Sequence, residues 1–113
     1  MTKDPHVFLQ HIIESIEDIE IYIAGLDKLT FREYHNKEKQ DAVLRRLEII
    51  GEAVKYIPDE YKNQHPEIEW KKPMAMRNKL IHEYFGVDLD LVWDTITKIL
   101  PSFKRQIIAL LST

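Results

Sequence analysis

"AVLRRLEIIGEAVKYIP", Ala42 to Pro58, is the stretch on which the fold turns. Val43, Leu47, Ile50, Val54 and Ile57 step by four, three, four and three. That spacing keeps one stripe of a helix turned toward a neighbour, and it suits close antiparallel packing. Gly51 interrupts the stretch at a cost of about 1 kcal/mol relative to alanine. The expected reason is close approach of another helix, with a second subunit as one possible source. Pro58 stops the helix and can start a short one through Lys62.

Upstream, Asn36 can cap this long helix, and Thr30 with Glu33 has capping-box spacing for a short helical turn through Tyr34. Asp4 followed by Pro5 is a good helix start. Phe8, Ile12, Ile16, Ile19, Ile23 and Leu26 then form one stripe, which Gly25 to Asp27 brings to an end. Ile13 and Ile21 lie off that stripe and predict burial of the first helix on more than one side.

Downstream, "NQHPEIEWKKP" reads as a loop between Pro66 and Pro73. Pro73 suits the first turn of a helix running to about Phe85, with Gly86 as its C-terminal cap. Asp88 or Asp90 caps the last helix. In it Leu89, Val92, Trp93, Ile96, Ile99, Leu100, Phe103, Ile107 and Leu110 keep helical spacing, and Pro101 predicts a kink or break. The expected fold is all-α: an antiparallel up-down bundle of four main helices plus short helical segments, with residues 1–113 as a single domain.

Composition agrees. The chain has 113 residues, 44% hydrophobic and 31% charged, which is globular rather than disordered. Three glycines and five prolines are too few for a turn-rich all-β architecture. No cysteine is present, so neither a disulfide framework nor a thiolate metal site can form. No window approaches 18 uninterrupted apolar residues, and the start, "MTKDPHVF", shows no signal-peptide pattern. A cytoplasmic protein is the default expectation. The net charge of −3 argues against coating nucleic acid by bulk electrostatics. A local basic excess is still present: Lys71, Lys72, Arg77 and Lys79 stand against Glu69 and Glu83.

The segment "MRNKLIHEYFG", Met76 to Gly86, is where chemistry-bearing residues gather. Asn78 and His82 lie within roughly 40° of each other on a helix, and Arg77 and Tyr84 within roughly 20°. Together they make a polar strip, with Met74, Leu80, Ile81 and Phe85 on the other sides. Arginine presents a planar fork suited to a phosphate, and histidine can take and return a proton near neutrality. RNA carries its own nucleophile, the 2′-OH. If His82 removes that proton while Arg77 stabilises the phosphoryl oxygens, RNA can be cut without metal or cofactor. Asn78 would orient the imidazole or bond a phosphate oxygen. The spacing leaves a structural role open as well. A histidine in the last turn of a helix interacts favourably with the dipole, and Arg77 can pair with Glu83 or with a carboxylate on a neighbouring helix.

The segment "MRNKLIHEYFGVDLDLVWDTI", with "RRLEIIGEAVKYIP" and "EIEWKKPMAM", closely resembles the HepT-like family of HEPN-domain proteins. The resemblance covers nearly the whole chain. Its motif is Arg, four residues, His, one residue and Tyr, here Arg77, His82 and Tyr84, with Asn78 after the arginine. It implies a cytoplasmic ribonuclease toxin of a prokaryotic type II or type VII toxin–antitoxin pair. It further implies a metal-independent endoribonuclease that forms a homodimer, with two Arg–His motifs in one cleft. The implied partner is a minimal nucleotidyltransferase antitoxin that adds AMP to Tyr84. The alternative is a non-enzymatic helical dimer that binds nucleotide or the nucleotidyltransferase as substrate or adaptor.

The remaining histidines suggest no metal site. His6 and His11 are five apart, and His35 and His65 fall in polar turns. No pair has the four-residue spacing of helical zinc sites. No metal, no cofactor and no membrane association are expected.

Overall fold

The computed structural model describes residues 4–82 and 86–112. Among them every regular element is helical. The elements are α1 (Pro5–Ile23), α2 (Lys28–Phe31), a 3-10 turn (Tyr34–Asn36), α3 (Lys37–Tyr56), α4 (Asp59–Gln64), α5 (Lys71–His82), α6 (Leu89–Asp94), a π-helical stretch (Thr95–Ile99) and α7 (Leu100–Leu111). The all-α expectation holds, with α1, α3, α5 and the α6–α7 run as the main helices. Helix α3 packs against both α1 and α5, and α1 also meets α7. No described helix is long and apolar enough to cross a membrane.

The α3 seam is buried as its spacing predicts. Val43, Leu47, Ile50, Val54 and Ile57 all lie in the core, joined by Ile12, Ile16 and Ile19 of α1 and Phe103 and Ile107 of α7. Leu9 and Ser15 are buried too, so α1 is covered over a broad arc. Ile21 corrects part of the reading of α1. It is 71% exposed, because it lies on the side of the helix that the bundle leaves open. Around the core, ion pairs join α1 to its neighbours: Arg46 meets Asp18 at 3.4 Å, and Lys104 meets Glu20 at 2.9 Å.

Asp4 caps α1 by accepting from the His6 N–H at 2.9 Å. The next corner forms differently from the expectation. The capping box joins Asp27 to Thr30, with each side chain accepting from the other's backbone N–H at 2.8 Å. Thr30 is therefore the third residue inside the turn rather than its cap. Asp27 is the better acceptor, and Thr30 N–H would otherwise be an orphan donor of the first turn. Asn36 stands at the start of α3 but makes no cap bond there. Its side-chain amide donates to the Thr30 carbonyl at 2.6 Å instead. Gln40, also buried, donates to the Phe31 and Glu33 carbonyls at 2.8 and 3.0 Å, and so ties this corner to α3.

At the other end Asp88 caps α6, accepting from the Asp90 and Leu91 N–H groups. The effect expected of Pro101 is spread over the preceding turn. The π-helical stretch Thr95–Ile99 leads directly into α7, where Pro101 is the second residue. Proline has no N–H and crowds the carbonyl four residues back, and a π turn is one way to accommodate that. The helix end expected at Phe85 and Gly86 rests on residues 83–85, outside the described residues.

Candidate functional site

Helix α5 is short, and its sequence makes it lean on α3. Pro73 sits in its first turn, where the missing N–H costs nothing. Pro73, Met76 and Leu80, spaced three and four apart, form the buried stripe. Arg77 follows Met76, so its stem falls on the flank of that stripe. There α3 presents Gly51. A Cβ built on Gly51 would overlap the Arg77 Cβ, stand 2.7 Å from its Cγ and 3.1 Å from the Pro73 carbonyl oxygen. The close approach expected at Gly51 is thus real, and the approaching helix is α5 of the same chain.

The head of Arg77 is held on two sides. Its Nη1 donates to Asn78 Oδ1 at 3.2 Å, and its Nη2 lies 3.9 Å from Glu52 Oε1. The side chain is only 20% exposed. Its Nε is buried and bonds to nothing among the described residues. A buried donor without a partner costs free energy and calls for an explanation. The carboxylate on a neighbouring helix that the sequence offered to Arg77 is Glu52.

Asn78 therefore engages Arg77 rather than His82. Asn78 and His82 are both exposed, one turn apart on the solvent face of α5. His82 is the last residue of the helix. Arg77 and His82 are five positions apart, which turns them roughly 140° from each other around the axis. The strip is accordingly two pieces: Arg77, whose stem lies against α3 at Gly51, and the exposed Asn78 and His82, with Asn78 reaching back to the guanidinium. Tyr84 lies outside the described residues.

An open groove of about 700 Å³ lies beside the start of α5, lined by Lys62, Ile68, Trp70, Lys71, Lys72 and Met74 among others. It does not contain Arg77 or His82. Two of its three lysines are already paired, Lys62 with Asp59 at 3.4 Å and Lys72 with Glu69 at 2.9 Å. The chemistry-bearing residues thus lie on a helix face rather than in this hollow. Among the described residues no three His, Cys, Asp or Glu side chains converge as metal ligands would.

Sequence reading passed over Glu52. A signal was there to read: a glycine inside a strong helix, followed at once by a carboxylate, marks a turn that can receive another helix and hold a cation from it.

Comparison with known proteins bears on this geometry. The family described as Ribonuclease HepT-like matches residues 12–110. A Methanocaldococcus jannaschii protein named "Gamma-glutamylcyclotransferase and putative RNase" is 45% identical over 111 residues, 98% of this chain, and the chain spans 49% of that relative's length. A Thermococcus cleftensis protein named "Probable ribonuclease HepT" is 46% identical over 107 residues, 94% of each chain. No solved structure matches the chain.

Proposed function

Because this chain belongs to the ribonuclease HepT-like family, we propose that it is a metal-independent endoribonuclease that works through Arg77 and His82. The carrying observation is the clasp on Arg77: a guanidinium oriented by Asn78 and Glu52, with a buried Nε lacking a partner among the described residues, on the helix that also displays His82. In this reading His82 takes the proton of a ribose 2′-OH. The 2′-oxygen forms a bond to phosphorus, the bond to the 5′-oxygen breaks, and the leaving oxygen takes up a proton. Arg77 stabilises the charge on the non-bridging oxygens. Asn78 holds the fork and keeps its own N–H groups for the phosphate.

The 140° between Arg77 and His82 supports a homodimer as the working form, in which two copies bring their motifs into one cleft. A composite site lets the arginine of one copy and the histidine of the other face the same phosphate. RNA is the substrate. The setting proposed is a cytoplasmic toxin of a toxin–antitoxin pair. Its partner is a minimal nucleotidyltransferase that silences it by adding AMP to Tyr84. A phosphodiester on that phenol would compete for Arg77 and repel RNA.

Cleavage of RNA by the purified protein tests the reading. Cutting should persist in EDTA, leave a 2′,3′-cyclic phosphate and a 5′-hydroxyl, and fail on 2′-deoxy substrates. A magnesium requirement would overturn the mechanism. Absence of cleavage with intact binding of the nucleotidyltransferase would favour the non-enzymatic adaptor. For the control step, mass spectrometry after co-expression should find AMP on Tyr84, and Tyr84→Phe should cut RNA yet escape modification.

A further inference from the structure

A guanidinium that must meet a phosphate in one orientation needs something on the protein side to hold it. One turn of α3 provides two such contacts. Gly51 lets the α3 backbone come against the first two carbons of the Arg77 stem, where a side chain would collide. The next residue, Glu52, sets its carboxylate 3.9 Å from Arg77 Nη2. That distance is too long for a hydrogen bond, so the attraction steers the head while leaving the Nη2 protons unspent. Asn78 occupies Nη1 from the other side at 3.2 Å.

We propose that Glu52 is a positioning residue for Arg77, setting the direction of its fork toward the RNA phosphate. This rests on the reading of Arg77 as the phosphate-binding group. Glu52 acts through Arg77 and does not touch the substrate. Its negative charge therefore has two opposed effects: it opposes the approach of RNA, and it orients the cation where transition-state charge develops. Loss of the charge should lower the rate of the bound complex while leaving RNA affinity unchanged or tighter. A merely structural residue would not divide the two parameters in that way.

The test compares Glu52→Gln, which keeps shape and removes charge, with wild type and with Glu60→Gln, an exposed carboxylate of α4. Single-turnover cleavage of an RNA oligonucleotide should slow by about tenfold in E52Q, with equal or tighter RNA binding and no change in E60Q. The guanidinium ¹⁵N resonances of Arg77, assigned by Arg77→Lys, should show freer rotation in E52Q with or without RNA. Wild-type cleavage with unchanged Arg77 signals overturns the proposal. So does a rate loss with unchanged signals, since Glu52 would then act on something other than Arg77. If Arg77→Ala itself cleaves like wild type, the catalytic reading of Arg77 falls. The resonances then judge the anchoring alone, freer rotation in E52Q supporting it and unchanged rotation overturning it.

Discussion

Toward α1, helix α3 contributes to a continuous apolar core in which Val43, Leu47 and Ile50 join Leu9, Ile12, Ile16 and Ile19. Toward α5 it offers a glycine and a glutamate, which meet the stem and the head of Arg77. The first contact follows what burial of area rewards. The second brings two backbones unusually close and leaves a buried Nε without a partner among the described residues. Where a small domain accepts such a cost, function is the usual beneficiary. The contrast separates the part of the molecule that holds the fold from the part that holds the proposed chemistry, and each can be attacked alone.

The largest effect is expected at the chemical end. His82→Ala should slow RNA cleavage by roughly 10²–10⁴-fold, the range for loss of a positioned acid–base group. Its melting temperature should stay at the wild-type value, since His82 is exposed at the end of α5. Paired measurement of cleavage and thermal unfolding checks both halves. Ile50→Ala, on the core side, should show the opposite pattern. Ile50 is wholly buried, and truncation should cost about 2–5 kcal/mol in a denaturant titration.

Gly51→Ala sits between the two and sharpens the comparison. Alanine favours a helix by about 1 kcal/mol, yet its Cβ would meet the Arg77 stem and crowd the Pro73 carbonyl. Overpacking should win, with a net loss of about 1–3 kcal/mol in denaturant. A more stable G51A variant would show that the helices are free to move apart. Arg77→Met should be smaller still, within about 1 kcal/mol of wild type, because it keeps an apolar stem and removes the unbonded donor. Cleavage should nevertheless be lost.

The smallest effect concerns pH at the corner before α3. The Thr30 backbone N–H, then its hydroxyl, hold the Asp27 carboxyl below its ordinary range. A depressed folded-state pKa means that this contribution is present above the ordinary carboxylate pKa and is lost as pH falls through the depressed one. Asp27→Ala should therefore lower the melting temperature slightly near neutrality, and the gap from wild type should close in acid.

Much of the fold could be read from local signals. Asp4–Pro5, Pro58, Pro73 and Asp88 each act on their own backbone, so the helix starts and stops that they predict are found. Apart from Ile21, which the bundle leaves uncovered, the errors fall where two local signals compete. Asp27 displaced Thr30 as the cap because a carboxylate accepts a backbone N–H better than a hydroxyl does. Asn36 turned to a carbonyl that the turn had left free. The site was legible as a list of residues, Arg77, Asn78 and His82, and less so as an arrangement. Spacing placed Asn78 with His82, whereas the guanidinium beside it proved the closer partner.

Helical periodicity, caps and prolines are properties of neighbouring residues along one chain, so the order of the letters was enough to specify an all-α protein and the stripe that α3 buries. Periodicity says which face is covered but carries nothing about what covers it. That α5 of the same chain fills the notch at Gly51, that Glu52 rather than another acid faces Arg77, and that Arg77 turns inward while His82 stays in solvent, all depend on how α3 and α5 are packed. That packing joins residues more than twenty positions apart, through contacts that exist only once the core has closed.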